Sequence, residues 1–257
     1  MQLKDKRIIV TGGARGIGAS TVRVFVAEGA RVVSLDVQDE PGQQVVDEAH
    51  ARGPGTARYL HCDISQRARV DEAFSAATAH LGGLDVLAHV AGVNTHARAE
   101  DITDADWDRV FAVNVKGTLL TNQAAFRAMR RSGGHIINFG SDAGLMPYPN
   151  AGHYSASKGA VMAWTRTAAA EWGPYGITVN SVIPAMWTPM YDESRAIMSP
   201  EQLAQHDAAM KHLVPLGGRL GDPDKHFAPV MVFLAGNGSD FITGQILSVN
   251  GGMCNVR

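Results

Sequence analysis

Tyr154 and Lys158 stand four residues apart in HYSASKGAVMAWTR (153–166). On a helix that spacing puts a phenol and an ammonium on one face, one turn apart. A phenol ordinarily ionises near pKa ≈ 10, too high for a base at neutral pH, but a neighbouring cation favours the phenolate. Such a pair suits proton transfer to or from an alcohol oxygen. Ser141 lies 13 residues before the tyrosine and Asn114 lies in NVKG. Each of these four alone is as readily a turn former, a cap or a solvated face.

A second constellation is IIVTGGARGIGAS, in which Gly12, Gly16 and Gly18 follow a short apolar run. Glycines there let the backbone turn sharply and approach a pyrophosphate, which would sit on the unpaired N–H groups of a helix start. The spacing is Gly-x-x-x-Gly-x-Gly, not the commoner Gly-x-Gly-x-x-Gly. Asp36 ends the next apolar run, 18 residues after Gly18. A carboxylate there accepts ribose hydroxyls and repels a 2'-phosphate. Arg15 pulls the other way, but Val37 adds no second positive charge, so NAD is expected over NADP.

With the glycine loop, Asn114, Ser141 and Tyr154-x-x-x-Lys158 in this order, the chain resembles the short-chain dehydrogenase/reductase family, from Thr11 to VNGG at 249–252. The resemblance implies that Tyr154 removes the alcohol proton as hydride leaves carbon for NAD. It implies that Ser141 bonds the substrate oxygen, Lys158 holds the nicotinamide ribose, and Asn114 positions a water. Cofactor contacts are implied at Gly12, Arg15, Gly16, Ile17, Gly18, Asp36, Val90, Ala91, Gly92, Tyr154 and Lys158. Asp63, with Ile64, matches the residues that meet the adenine; a turn-forming aspartate is the plainer alternative.

The chain departs from the family pattern twice. Asn-Asn-Ala-Gly is replaced by His89-Val90-Ala91-Gly92, and His89 is expected to take over the sheet-tying role of the first asparagine. After Pro184 the stretch PAMWTPM has Ala185 for glycine and places Thr188 one residue early, so the nicotinamide-gripping loop is shortened. Trp187 and Thr188 are carried over to that loop.

His96, Ala143, Leu145, Met146, Tyr148, His153, Met186, Trp187, Met190 and Tyr191 are the candidates for the substrate pocket, a largely apolar set. No arginine cluster flags an anionic substrate, which favours a neutral secondary alcohol or ketone, cyclic or aromatic. Three alternatives stand. Arg130 and Arg131 could serve a 3-oxoacyl carrier-protein reductase, although Trp172 occupies the second basic position. An NAD-sensing regulator would need no Ser141–Tyr154–Lys158 set. A carbon–carbon or epimerising enzyme on the same scaffold would want a further acid or base, for which His153 is the adjacent candidate.

Positioning these groups requires a parallel sheet. Strand candidates are RIIV (7–10), RVVSL (31–35), ARYLH (57–61), DVLAHV (85–90), HIINF (135–139), ITVNSV (177–182) and QILSV (245–249), alternating with helical patterns such as 17–28 and 70–80. This alternation predicts an α/β fold: one doubly wound, Rossmann-like domain over 1–257, about seven parallel strands with helices on both faces. The helix carrying Tyr154 is expected to end at GPYG (173–176). Its small residues Gly159, Ala160 and Ala163 suit close approach of a second subunit, and the resemblance implies a homo-oligomer, a tetramer foremost. The longest break, 184–220, contains one capped helix beginning at SPEQ (199–202) and reads as a substrate lid.

The totals exclude other classes. A net charge of -2 gives no basic surface for nucleic acid or an acidic membrane. No apolar run approaches the ~18 residues of a membrane span, and MQLKDKRIIV contains no signal-peptide apolar region. Two cysteines, Cys62 and Cys254, form no disulfide framework and suit a cytoplasmic protein. The ten histidines show no metal-ligand spacing, and His206 and His212 lie six apart, so no metal is expected.

Overall fold

The structure, a computed structural model, describes residues 1–255, apart from the side chain of Met190. The substrate candidate Met190 therefore lies outside the described side chains. All seven expected strands form: β1 (Arg7–Thr11), β2 (Arg31–Asp36), β3 (Thr56–His61), β4 (Val86–His89), β5 (Gly134–Phe139), β6 (Ile177–Pro184) and β7 (Ile246–Val249). They make one sheet in the order β3-β2-β1-β4-β5-β6-β7, parallel at every pairing. The central strands are near-continuous apolar runs because both faces are covered; every residue of β4 is buried.

Strand alternation sends the two sets of side chains into separate cores. Ile8, Val10, Val32, Val86 and Ile137 pack with α1 (Gly16–Ala27), α2 (Asp39–Arg52) and α9 (Ala228–Ala235). Ile9, Val33, Leu35, Leu87, Ile136 and Val179 pack on the other face with α3 (Arg67–Leu81), α5 (Gly117–Met129) and α6 (Gly152–Trp172). The chain reverses its direction of travel across the sheet between β1 and β4, so their carboxyl ends flank an open crevice, the usual ligand position in such sheets.

Two local features bear on the site. α4 (Asp104–Phe111) runs into α5 through a π-helical turn, Ala112–Lys116, which presents Asn114 to the interior. α6 ends at a 3-10 turn, Gly173–Tyr175, with Gly176 at φ 69°, where the breakers place the stop.

The stretch 184–220 holds two helices rather than the one expected. α8 (Pro200–Leu213) has the full capping box between Ser199 and Gln202. α7 (Pro189–Ala196) precedes it, capped by Thr188 with Pro189 in its first turn. The Arg195 guanidinium binds both carboxylate oxygens of Asp207, and the Tyr191 hydroxyl pairs with His206 Nε2 at 2.7 Å, fastening α7 to α8. Arg195 also lies 5.0 Å from the Trp187 ring centroid and 5.5 Å from that of Tyr191.

Candidate active site

The crevice is a cavity of about 530 Å³ running from the β1–α1 loop to the start of α6. Of the proposed cofactor contacts, Gly12, Arg15, Gly16, Ile17, Gly18, Asp36, Asp63, Ile64, Val90, Ala91, Gly92, Tyr154, Lys158 and Thr188 all line it. Trp187 does not. Its N–H donates to the Gly221 carbonyl and its indole N–H to Asp192, so it braces the base of α7. The Thr188 hydroxyl caps α7 by accepting from the Tyr191 N–H.

The glycines are required by packing. A Cβ on Gly12 would lie 2.7 Å from the Ala91 backbone, and one on Gly18 would lie 1.9 Å from the Gly12 carbonyl oxygen. Gly12 and Gly16 also adopt φ values of 70° and 56°. Asp36 is held rigidly: Oδ2 accepts from Ala14 N–H at 3.0 Å, and Oδ1 from Val37 and Gln38 N–H at 2.7 and 3.1 Å. Oδ2 keeps a lone pair for a further donor. Arg15 turns away from this carboxylate, its Nη1 lying 3.9 Å from Glu193 on α7. Asp63 forms the turn, accepting from Ser65 and Gln66, and it also lines the cavity. Partial burial pushes its carboxyl up, but those bonds outweigh it and hold the group below its ordinary range.

The reactive groups converge at the other end. The Ser141 hydroxyl hydrogen-bonds the Tyr154 phenol. Lys158 Nζ lies 5.7 Å from the Tyr154 ring centroid and donates to the Phe139 carbonyl at 2.9 Å. The Asn114 amide donates to Val93 O at 2.9 Å and Ser157 Oγ at 3.0 Å, and its Oδ1 accepts from Val93 N–H at 2.8 Å. Asn114 thus ties the π-turn to the strand-four loop and to α6. Phe139, Val93 and Ser157 escaped the sequence reading because two act through the backbone, which carries no residue signature. Ser157 sits one turn after His153, and only the fold shows that it faces Asn114.

The electrostatics correct one expectation. Burial pushes the Tyr154 phenol up to about 12, opposed by the Ser141 bond and reinforced by Tyr148 and Asp142. Burial likewise draws the Lys158 ammonium down to about 8. At 5.7 Å the cation does not by itself offset desolvation, so the protein groups alone leave the phenol protonated at neutral pH.

His89 does knit the sheet. Its Nδ1 lies 2.9 Å from Thr11 Oγ1 on β1 and 3.0 Å from Thr121 Oγ1 on α5. Burial lowers its pKa to about 3, so the ring is neutral, and Nε2 has no partner.

The substrate candidates separate into groups. Tyr148 is half exposed with its ring centroid 6.5 Å from that of Tyr154, and Leu145 and Met146 share its loop. His96 is exposed, with Nε2 3.4 Å from Asn94 Nδ2 on the cavity wall. Ala143 is buried, its N–H donating to Ser141 Oγ. Three residues turn elsewhere. Met186 packs into the sheet core, Tyr191 packs between Trp187 and His206, and His153 is fully buried, bonding Thr95. Their apolar bulk fills seams instead of lining a pocket. Among the described residues no group of three or more His, Cys, Asp or Glu could hold a metal, and no helix is long and apolar enough to cross a membrane.

Comparison with known proteins bears on this arrangement. Residues 12–254 match a family model described as enoyl-(acyl carrier protein) reductase. A 3-alpha-(or 20-beta)-hydroxysteroid dehydrogenase of Mycobacterium tuberculosis is 38% identical over 253 residues, covering 98% of this chain and 90% of that protein. A cyclopentanol dehydrogenase of Comamonas testosteroni is 33% identical over 260 residues, covering 98% of each. A crystal structure of a short-chain type dehydrogenase/reductase from Mycobacterium marinum superposes with TM-score 0.87 at 30% identity, covering 99% of this chain and 97% of that one.

Proposed function

From the premise that this chain belongs to the short-chain dehydrogenase/reductase family, we propose that it is an NAD-dependent oxidoreductase interconverting a neutral secondary alcohol and its ketone, with a cyclic or aromatic substrate favoured. The observation that carries this reading is the joining of Ser141, Tyr154 and Lys158 at the mouth of the glycine-lined cavity. A pure NAD sensor has no need of that set.

The residues fit a dinucleotide. The glycine loop at the start of α1 would take the pyrophosphate, Asp36 Oδ2 the adenosine ribose, Ile64 and Asp63 the adenine, and Lys158 the nicotinamide ribose. The bound oxidised nicotinamide would supply hydride acceptance and a positive field beside the phenol. Ser141 holds the substrate oxygen against the Tyr154 hydroxyl, fixing the path of the proton. Tyr154 accepts that proton in oxidation and, protonated by its own surroundings, donates it in ketone reduction. Asn114 braces the cavity wall. One Oδ1 lone pair remains there to hold a water that relays the proton.

The names of the hydroxysteroid and cyclopentanol dehydrogenases support a ring-bearing alcohol. The carrier-protein alternative is disfavoured because Trp172 is buried against Phe126 and Trp164 and offers no basic contact. The stretch 184–220 acts as a lid on one domain, and the small exposed face of α6 at Ala156 and Ala163 fits a second copy of the chain in a homo-oligomer.

The test is reduced-cofactor absorbance from purified protein with NAD and a panel including cyclopentanol and hydroxysteroids. Tyr154→Phe should lower the rate about 100-fold or more. Full activity in that variant would refute the proposed base.

A further inference from the structure

The VNGG stretch (249–252) has no task in the mechanism above. β7 ends at Val249, paired with Pro184 of β6 on the cavity wall, and so delivers Asn250 to the edge of the crevice. Asn250 is buried, and its whole amide is used. One N–H donates to Asp142 Oδ1 at 2.7 Å and the other to Cys254 O at 3.0 Å, while its Oδ1 accepts from Gly252 N–H at 3.1 Å. The turn beyond it runs through Gly251 and Gly252 at φ 65° and 87°. That turn is braced from outside: Leu216 N–H donates to Gly251 O at 2.9 Å, and a Cβ on Gly251 would lie 2.7 Å from Val214 Cγ1. Asn250 is therefore a fixed post, since a buried polar network with every member satisfied is rigid.

The post holds the turn that carries Ser141. Asp142, also buried, opens the 3-10 turn Asp142–Gly144 directly after Ser141. Within it, Ser141 O accepts from Gly144 N–H at 3.0 Å and Ser141 Oγ from Ala143 N–H at 3.2 Å. On its other side the turn lies against α6, where a Cβ on Gly144 would sit 2.9 Å from Gly159 N and 3.0 Å from Lys158 C. The turn is thus held between α6 and Asn250, with Ser141 at its head against the Tyr154 phenol.

We propose that Asn250 is a positioning residue for the reaction: by clamping Asp142 it fixes the Ser141 hydroxyl where the substrate oxygen must meet Tyr154. This rests on the reading of Ser141 and Tyr154 given above. A three-residue turn has few hydrogen bonds of its own, and those of 3-10 geometry are poor. Proton transfer tolerates little slack, because a misplacement of about 1 Å can lower a rate about 100-fold. The clamp holds whether or not the carboxyl carries a proton, since an oxygen lone pair accepts the Asn250 N–H in either form.

The experiment measures kcat for alcohol oxidation, and NAD binding by fluorescence titration, in the wild type, Asn250→Ser and Asn250→Leu. Each variant is also made in a Ser141→Ala background. Serine is too short to reach Asp142, and leucine fills the space without a donor. Either should lower kcat about 10-fold while NAD affinity stays within about twofold. With Ser141→Ala already in place neither should lower kcat further, because the group they position is gone. A folded variant with wild-type kcat would overturn the proposal. So would an equal loss with and without Ser141, which marks a general loosening of the site. If one variant fails to fold by circular dichroism the other carries the test, and failure of both would overturn the proposal by showing a structural post only. Full activity in Tyr154→Phe or Ser141→Ala sinks the catalytic reading itself; an impaired Ser141→Ala beside unimpaired Asn250 variants sinks this inference alone.

Discussion

His89→Asn should make the fold less sensitive to acid. The wild-type ring is enclosed, has a pKa of about 3 in the folded chain, and returns to 6.5 when unfolded. Between these values the unfolded chain holds a proton that the folded chain lacks, so stability rises with pH. The contribution is complete above 6.5 and is lost as pH falls toward 3. At pH 5, one and a half units below 6.5, the loss is about 2 kcal/mol at about 1.4 kcal/mol per unit. Asparagine has no such titration. At pH 7 the variant pays about 1 to 3 kcal/mol for lost packing and a lost contact to Thr11 or Thr121. By pH 5 that deficit should shrink by about 2 kcal/mol, equivalent to roughly 4–8 °C in melting temperature for a chain of this size. Urea unfolding at the two pH values measures it. His135, also held low by burial, is common to both proteins and cancels. Stability curves falling in parallel from pH 7 to pH 5 would refute the argument.

Two further outcomes concern the cofactor. Gly18→Ala should weaken NAD binding by about tenfold or more, read by fluorescence titration, because the new Cβ would collide with the Gly12 carbonyl oxygen and deform the loop. Asp36→Ser should raise the NADP-to-NAD ratio of kcat/KM by at least about tenfold in steady-state assays, since the carboxylate that repels a 2'-phosphate is gone while the N–H donors of Ala14, Val37 and Gln38 remain.

Most of the seven strands were legible as short β-branched runs bounded by turn residues, which the sheet's buried centre demands; the edge strand β3, with Ala57, Tyr59 and Leu60 but no β-branched residue over 57–61, was legible from its place in the alternation. The glycine loop was legible because its residue types answer a steric need that any side chain would violate. α7 was missed although Thr188-Pro189 repeats the cap-and-proline signature of Ser199-Pro200; eight polar-rich residues gave too little periodicity to register. The π-turn at Asn114 leaves no mark in a helical pattern, since one extra residue shifts the phase by less than a turn. Met186, Tyr191 and His153 were misplaced because an apolar or aromatic side chain beside a site is equally at home in the packing beneath it. The phenol's electrostatics were misjudged for a related reason: spacing reveals the cation but not the depth of burial that opposes it.

The fastening of α7 to α8 bears on how the lid proposed above would move. With Arg195 gripping Asp207 and Tyr191 paired to His206, the two helices form one stiff leaf hung between the Met186–Gly221 bridge and the glycines at 217 and 218. Closure of the proposed lid would swing a preassembled wall, and few side chains on that wall would need to freeze at the moment of capture.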